Sequence, residues 1–489
     1  MLFNSIEFIF FLIITFLLYW FVFNRLKIQN FFLVLISYIF YGWWDWRFLI
    51  LIAVTTIASY CSGILISSFR YKNNYEKNNH FNKSRIIAIC NIILNLIILC
   101  AFKYFNFFGE NLYKLLGLFG FNIDWITLKI LLPVGISFYT FQALSYTIDV
   151  YKKKIEPTHD IISFFAYVSF FPQLVAGPIE RATHLLPQFF RKRTFEYSQA
   201  TDGAKQILWG LFKKIVVADN CAVIANSVFD NYTNESSPTL IIGAIMFTFQ
   251  IYGDFSGYSD IAIGAAKLFG FNLMQNFNYP YFSRDIAEFW RRWHISLTTW
   301  FRDYIYIPLG GSREGKWTSL RNTMVIFIIS GFWHGANWTF LIWGLFHALL
   351  FAPLILTGKN RKYLDSVAAG HWLPNFKEIL QSIMTFSFVV IGWIIFRSET
   401  LLDAFEYLKR IAINNSYKIS FLSRGTQNIV LYAIPFIGII ILIIGEWIAS
   451  RKIESFYKVN NIISTLIIVI LIFFLGAFKD QSQFIYFQF

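Results

Sequence analysis

The segment Gly331–Trp338 (GFWHGANW) places a histidine, His334, inside a run that contains no Asp, Glu, Lys or Arg from 322 to 351. The run is long enough to cross a bilayer, since about 20 apolar residues span its hydrocarbon core. An ionisable side chain at that depth is a candidate for function, although a histidine can also serve as a hydrogen-bonding link between helices. If the stretch is one helix, Asn337 lies near the same face as His334.

The composition of the whole chain is that of a membrane protein. Of its 489 residues, 56% are hydrophobic, 20% are aromatic and only 14% are charged, whereas soluble domains carry about 25% charged residues. About eleven or more apolar segments are long enough to span a bilayer, and some are broken enough to be re-entrant. We therefore predict an all-α polytopic protein of the cell (inner) membrane.

The formal net charge of +14 is spread along the chain and forms no single patch, which argues against nucleic-acid binding. Basic clusters at 70–85 and 152–154 follow apolar segments, as cytoplasmic loops do under the positive-inside rule. The loop at 230–235 is acidic and polar. This pattern predicts an extracytoplasmic N-terminus. The four cysteines form no CxxC pair, so neither a disulfide framework nor a metal site is expected.

Four stretches are too polar or too broken for a plain spanning helix. Pro and Gly interrupt Leu132–Phe138, and such breaks occur at membrane depth only where protein or a cavity surrounds them. Ser169–Arg181 is apolar but too broken for a helix, and we expect a re-entrant or interfacial hairpin on the cytoplasmic side. Gly253–Asp260 has two carboxylates among small residues, which fits either a polar surface turn or tight helix packing. Phe277–Gly311 is amphipathic and rich in Trp and Arg, which indicates a helix at the membrane interface or at a cavity mouth.

The candidates for chemistry among the seven histidines are His294 and His334. One lies in the Trp- and Arg-rich segment, and the other lies in the uncharged run. His347 shares that run, and we expect it to pack among apolar side chains. Arg291 and Arg292 precede His294. Their guanidinium groups could bind phosphates as bidentate donors or anchor the segment at the membrane interface.

Several motifs resemble those of the membrane-bound O-acyltransferases, in particular the subgroup that acetylates polysaccharides. The resemblance covers most of the chain and rests on Phe171–Ile179 (FPQLVAGPI), Asp254–Asp260 (DFSGYSD), Asn278–Leu297 (NYPYFSRDIAEFWRRWHISL), Trp300–Gly311 (WFRDYIYIPLGG) and Phe332–Gly335 (FWHG).

The resemblance implies a ring of helices around a central tunnel that joins the two sides of the membrane. His334 would be the family's invariant histidine, and His294 would be its second active-site histidine. Acetyl-CoA would present its thioester from the cytoplasm, and neutral His334 would take the proton of an acceptor hydroxyl. Arg291, Arg292 and Asn337 are the candidate CoA-binding residues, and no metal is expected.

The end of the chain, Phe484–Phe489 (FIYFQF), resembles the aromatic tails of cell-wall acylation systems, including the D-alanylation machinery of teichoic acids. It places one phenol, Tyr486, among apolar neighbours. Tyr486 could receive the acyl group and pass it to an extracytoplasmic enzyme. The alternative is an aromatic anchor at the membrane surface.

These observations predict a single integral-membrane acyltransferase domain over 1–489. Spanning helices are expected in 1–150, a catalytic core with re-entrant segments in 151–360, and further spanning helices with the aromatic tail in 361–489. The expected function is transfer of acetyl from cytoplasmic acetyl-CoA across the membrane for O-acetylation of a cell-surface polysaccharide. Membrane lipids, an extracytoplasmic O-acetyltransferase and the polysaccharide acceptor are the expected partners.

The sequence leaves alternatives open for the identity of the acceptor and for the class of reaction. Abundant Asn, Ile, Lys and Phe indicate an AT-rich coding sequence, which favours peptidoglycan over alginate or another exopolysaccharide. A lipid or protein acyltransferase with a long-chain donor is a third reading. A transporter or flippase without acyl chemistry is the alternative of another class, and the absence of visible internal repeats argues against it.

The loop charges predict the sidedness of the chain. We expect residues 70–85 and 152–154 to be cytoplasmic, and the N-terminus and the 230–236 loop to be extracytoplasmic. In a cysteine-free background, a membrane-impermeant thiol reagent added to intact cells should label a cysteine placed in the 230–236 loop. Labelling of a cysteine at position 153 under the same conditions would show that the assigned orientation is inverted.

Overall fold

A computed structural model describes residues 1–72, 80–121, 132–175, 177–414, 416, 419, 426–451, 462–478 and 484–485. Within these ranges the chain is helical and contains no β-strand, which confirms the all-α class. The structure contains two compact units, one made of 1–203 with 265–274 and the other of 204–264 with 275–489.

The first unit contains nine of the α-helices found in the described part of the chain. They are α1 (Ile6–Leu17), α2 (Leu26–Gly42), α3 (Leu49–Lys72), α4 (His80–Lys103), α5 (Phe105–Leu118), α6 (Ile136–Tyr151), α7 (Ile161–Ser169), α8 (Phe171–Leu174) and α9 (Ala182–Leu185).

The second unit contains the greater part of α10 and α12 and the whole of the other helices that follow. They are α10 (Tyr197–Leu211), α11 (Asp219–Asp230), α12 (Ser237–Leu268), α13 (Ile286–Arg292), α14 (Ile295–Phe301), α15 (Lys316–His334), α16 (Trp338–Leu356), α17 (Phe376–Arg397), α18 (Leu401–Ile413), α19 (Thr426–Arg451) and α20 (Ile462–Leu475). π-Helical turns at Phe212–Ala218 and Arg302–Tyr306 extend α10 and α14.

The polytopic prediction is confirmed by the lengths of these helices. Six helical segments in the described residues are long and apolar enough to cross a membrane, and shorter apolar helices accompany them at 6–22, 26–42, 161–174 and 462–475. Leucine, isoleucine and phenylalanine side chains remain exposed along many of these segments, as expected for surfaces that face lipid rather than water.

The two broken segments of the first unit pack against each other. Gly135 has a φ of 74°, and a Cβ on it would lie 2.4 Å from the carbonyl oxygen of Leu174. Only glycine tolerates both the left-handed conformation and this approach. Phe171 and the other residues of α8 are buried, so this part of the predicted hairpin is enclosed by protein.

The segment Gly253–Asp260 lies inside α12 and not in a surface turn. A Cβ on Gly257 would lie 2.7 Å from the carbonyl oxygen of Gly210, and a Cβ on Gly210 would lie 2.6 Å from that of Gly257. The small residues of this motif therefore allow α10 and α12 to cross at backbone contact, which is the helix-packing alternative considered for the sequence.

Helices α15 and α16 also meet at backbone contact. A Cβ on Gly344 would lie 2.2 Å from the carbonyl oxygen of Phe327, and a Cβ on Gly331 would lie 2.2 Å from that of Phe340. This pair of close approaches fixes the position of the end of α15, where His334 lies.

Gly344→Ala should destabilise the protein, because the added methyl group forces α15 and α16 apart. Overpacking of this kind typically costs about 1–3 kcal/mol. Thermal unfolding in detergent should therefore show a melting temperature several degrees below that of the wild type. Gly117→Ala is the matched control, because no atom lies within 4 Å of the added Cβ. Equal melting temperatures for the two variants would rule out the close approach.

Candidate functional site

The uncharged run around His334 is two helices and not one. α15 ends at His334, Gly335 is extended, and α16 begins at Trp338. Asn337 is the N-cap of α16: its side-chain oxygen accepts from the Thr339 N–H at 3.1 Å, and its amide donates to the Glu399 carbonyl at 2.9 Å. The expectation that Asn337 shares a helical face with His334 is therefore wrong, because the helix ends before it.

His334 is buried at the wall of a cavity. Its imidazole packs against aromatic rings at centroid distances of 5.0 Å to Trp333, 5.1 Å to Trp343 and 5.5 Å to Phe396. The cavity has a volume of about 500 Å³ and is also lined by His294. The fold thus brings together the two histidines that the sequence singled out, even though they belong to different helices.

His294 is held in an unusual backbone conformation between α13 and α14. Its φ is 44°, in the left-handed region, where strain on a non-glycine residue costs about 1–3 kcal/mol and is concentrated at functional sites. The turn is secured because the Ile295 N–H donates to the Asn276 carbonyl at 2.9 Å. Burial lowers the pKa of the His294 imidazole to about 3, so the ring is neutral at physiological pH.

The side chain of His294 has a polar partner on one edge only. Its Nδ1 lies 3.0 Å from Oδ1 of Asn276, and its ring packs against Phe255 at 4.7 Å and Trp333 at 6.0 Å. Nε2 has no hydrogen-bonding partner among the described residues. One ring nitrogen is therefore held by the protein, and the other is buried without a hydrogen-bonding partner among the described residues.

The two predicted arginines have different surroundings. Arg291 lines the cavity, and its guanidinium donates to the carbonyls of Asn360 at 2.8 Å and Tyr363 at 2.6 Å. Arg292 donates to Oε1 of Glu288 at 2.7 Å and is not part of the cavity wall. Arg291 thus holds the loop after α16 against the cavity, and Arg292 belongs to an ion pair.

Two further arginines, Arg302 and Arg361, line the cavity and were not singled out from the sequence. Both are exposed, and Arg302 pairs with Asp303 at 2.8 Å. Arg302 lies within the Trp- and Arg-rich segment Phe277–Gly311, so its position in the motif was a usable signal. Arg361 lies in a basic loop after α16, and only the fold shows that this loop reaches the cavity.

His347 is fully buried, and neither ring nitrogen has a hydrogen-bonding partner within the described residues. Its ring packs against Trp290 at 5.0 Å and Trp343 at 5.1 Å. It does not line the cavity. This environment fits the packing role expected for it.

A cluster of paired charges joins α12 to the neighbouring helices. Lys214 lies 2.8 Å from both Asp219 and Asp254, and Lys213 lies 2.9 Å from Asp260 and 3.4 Å from Glu446. The π-helical turn Phe212–Ala218 places these adjacent lysines on the helix face that crosses α12. Buried charges require such pairing, since an isolated one is very costly.

The chain end is attached to this cluster. The Ile485 N–H donates to Oδ2 of Asp254 at 2.6 Å, and the Phe484 ring packs 4.3 Å from Tyr258 and 6.1 Å from Phe255. Since Phe255 also contacts His294, one aromatic ring separates the tail from that histidine. Tyr486 lies outside the described residues.

Comparisons with known proteins agree on a single family. The profile of the MBOAT, membrane-bound O-acyltransferase family, matches residues 155–392. The chain is 37% identical over 425 residues to a protein of Pseudomonas aeruginosa named probable alginate O-acetylase, an alignment that covers 87% of this chain and 77% of the relative. The chain belongs to the membrane-bound O-acyltransferase family.

Other similar proteins have different acceptors in their names. The peptidoglycan O-acetyltransferase of Helicobacter pylori is 33% identical over an alignment of 504 residues, covering 94% of this chain and 91% of the relative. The teichoic acid D-alanyltransferase of Bacillus subtilis is 29% identical over 285 residues, covering 54% of this chain and 69% of the relative.

Membership in the family identifies the chain as an acyltransferase. The alternative hypothesis, a transporter without acyl chemistry, is therefore set aside. The matched region, 155–392, contains His294, His334 and the cavity that they line. The attached tail lies beyond this region.

Proposed function

We propose that this acyltransferase takes acetyl from cytoplasmic acetyl-CoA and passes it across the membrane for O-acetylation of a cell-surface polysaccharide. The single observation that supports the proposal best is the cavity that contains both His294 and His334. Peptidoglycan is the preferred acceptor, in keeping with the length of the match to the Helicobacter pylori relative. Alginate or another exopolysaccharide is the second candidate, favoured by the higher identity to the Pseudomonas aeruginosa relative.

In the proposed reaction, the acceptor hydroxyl attacks the thioester carbonyl while neutral His334 takes the hydroxyl proton. The carbon–sulfur bond breaks, the new ester carries the acetyl group, and the proton returns to the thiolate to give free CoA. His294, which also lines the cavity, orients the acceptor hydroxyl. The aromatic rings around His334 exclude water, which would otherwise compete as the acceptor.

The cavity has the volume of a small-molecule site and basic side chains on its wall, which supports acetyl-CoA as the proposed donor. Its volume of about 500 Å³ lies within the range of about 300–1,000 Å³ found for small-molecule sites. Arg361 and Arg302 are exposed on its wall and supply guanidinium groups suited to bidentate binding of CoA phosphates. Arg291 assists indirectly, since its guanidinium holds the loop that carries Arg361.

Tyr486 completes the proposal as an acyl relay to an extracytoplasmic O-acetyltransferase. Attachment of Ile485 to Asp254 supports it, because the chain end is tethered one ring away from His294. A tyrosine phenol ordinarily has a pKa of about 10 and is a weak nucleophile at neutral pH, so the relay needs a histidine as base. The alternative role for the tail is an aromatic anchor at the membrane surface.

His334→Ala should lose acetyl transfer by at least about 10²-fold, because general-base help is typically worth about 10²–10⁴ in rate. The rate is measured with purified protein and radiolabelled acetyl-CoA, with expression and melting temperature recorded alongside. His294→Ala should also transfer acetyl more slowly. If the two histidines act as a unit, the loss of rate in the double variant should be much smaller than the two single losses combined. His159→Ala, at an exposed loop position, is the control. Wild-type rates in folded His334→Ala would remove this residue from the reaction.

Tyr486→Phe should abolish surface O-acetylation while expression and membrane insertion stay normal. The change deletes one oxygen and keeps the ring, so an anchoring role should survive it. Mass spectrometry of the wild-type protein after incubation with labelled acetyl-CoA should show acetyl on the tail peptide. Tyr197→Phe, at an exposed tyrosine, controls for loss of a phenol elsewhere. Normal cell-surface acetylation by Tyr486→Phe would leave the tail as an anchor only.

A further inference from the structure

A neutral imidazole has one N–H and one nitrogen with a lone pair, and the partner of one nitrogen decides the role of the other. For His294 the decision matters, because the other ring nitrogen can either donate to the thioester carbonyl or accept from the acceptor hydroxyl. The relevant partner is the side chain of Asn276, at 3.0 Å from Nδ1. The orientation of that amide therefore assigns the proton on His294.

The surroundings of Asn276 fix which end of its amide is oxygen. Its Nδ2 donates to Oγ of Ser259 at 3.1 Å. Its Oδ1 receives the Ser296 hydroxyl at 2.9 Å and the Ser296 backbone N–H at 3.4 Å. A backbone N–H can only donate, so the end that faces both Ser296 and His294 must be the oxygen. Asn276 is fully buried, which removes water as a competing partner.

An amide oxygen has no proton to give, so Nδ1 of His294 must donate to it. We propose that Asn276, oriented by Ser259 and Ser296, is a positioning residue that holds His294 in the Nδ1–H tautomer and leaves Nε2, at the other edge of the ring, as an acceptor. The proposal rests on the proposed acetyl transfer at this cavity. Nε2 then accepts a hydrogen bond that orients the acceptor hydroxyl, whose proton goes to His334, and it does not donate to the thioester oxygen.

The rings that pack against His294 do not compete with Asn276 for the proton on Nδ1. The rings packed on it, Phe255 and Trp333, carry no charge. The same asparagine also accepts the Ile295 N–H through its backbone carbonyl. Asn276 thus fixes both the backbone and the ring of His294, while Ser259 lies in the α12 motif DFSGYSD.

The test compares Asn276→Ala, Asn276→Asp and Ser259→Ala with wild-type protein in the labelled acetyl-CoA assay. Loss of the hydrogen-bonding partner that orients a metal-ligating histidine typically lowers activity about 10- to 100-fold, and we apply the same range to His294. We expect Asn276→Ala to lower kcat by about this factor with the KM for acetyl-CoA little changed. Ser259→Ala should lower kcat less, because it frees the amide to rotate without removing it. Asn278→Ala is the matched control, since this exposed asparagine lies two residues away.

Asn276→Asp separates a tautomer-fixing role from a merely structural one. A carboxylate still accepts from Nδ1, so the tautomer is kept, but its negative charge stabilises the imidazolium and raises the pKa of His294. The neutral, active ring is then lost as the pH falls through that raised pKa. The acidic limb of the pH profile of kcat should therefore lie at higher pH in Asn276→Asp than in the wild type.

A folded Asn276→Asp protein with the wild-type pH profile would overturn the proposal. So would equal kcat values for folded Asn276→Ala and Asn278→Ala. If melting curves show that Asn276→Ala does not fold, Asn276→Asp and Ser259→Ala decide the question. Failure of the proposed function is distinguishable, because the wild-type protein itself would then transfer no acetyl from acetyl-CoA.

Discussion

The ends of helices leave backbone N–H and C=O groups without partners inside the helix. Both candidate catalytic histidines lie at such ends: His334 is the last residue of α15, and His294 is the N-cap of α14. Both histidines line the cavity. Backbone contact between α15 and α16 through Gly331 and Gly344 fixes the first end, and the backbone and amide of Asn276 fix the second.

Ion pairs between Lys213 or Lys214 and the carboxylates of α12 help to hold the helices that carry the site. Lys213 and Lys214 neutralise carboxylates of α12 at the level where the small residues of Gly253–Asp260 allow close helix crossing. α12 thereby presents Phe255 to His294 and Ser259 to Asn276. Removing one partner of such a buried pair leaves an uncompensated charge and is typically destabilising by about 3–5 kcal/mol. The motif therefore stabilises the site without lining it.

The sequence predicted the helical membrane class and the candidate His334, because composition and an uncharged run around an imidazole are properties of the chain itself. His294 became a candidate through the motif in its Trp- and Arg-rich segment. It misplaced Asn337, since periodicity assumes a continuous helix and Gly335 ends it. It did not reveal Arg361 or Asn276, because their roles depend on which loop reaches the cavity and which side chain faces a ring nitrogen. Such contacts are set by tertiary packing and leave no local pattern.

The proposed function requires that acetyl leave its donor in the cavity between His294 and His334. An electron cryomicroscopy structure with a non-hydrolysable acetyl-CoA analogue tests this requirement most directly. We predict density for the acetyl end beside Nε2 of His294 and the ring of His334, with the phosphates near Arg361. Well-defined density for the analogue at another site, with this cavity empty, would contradict the proposed function.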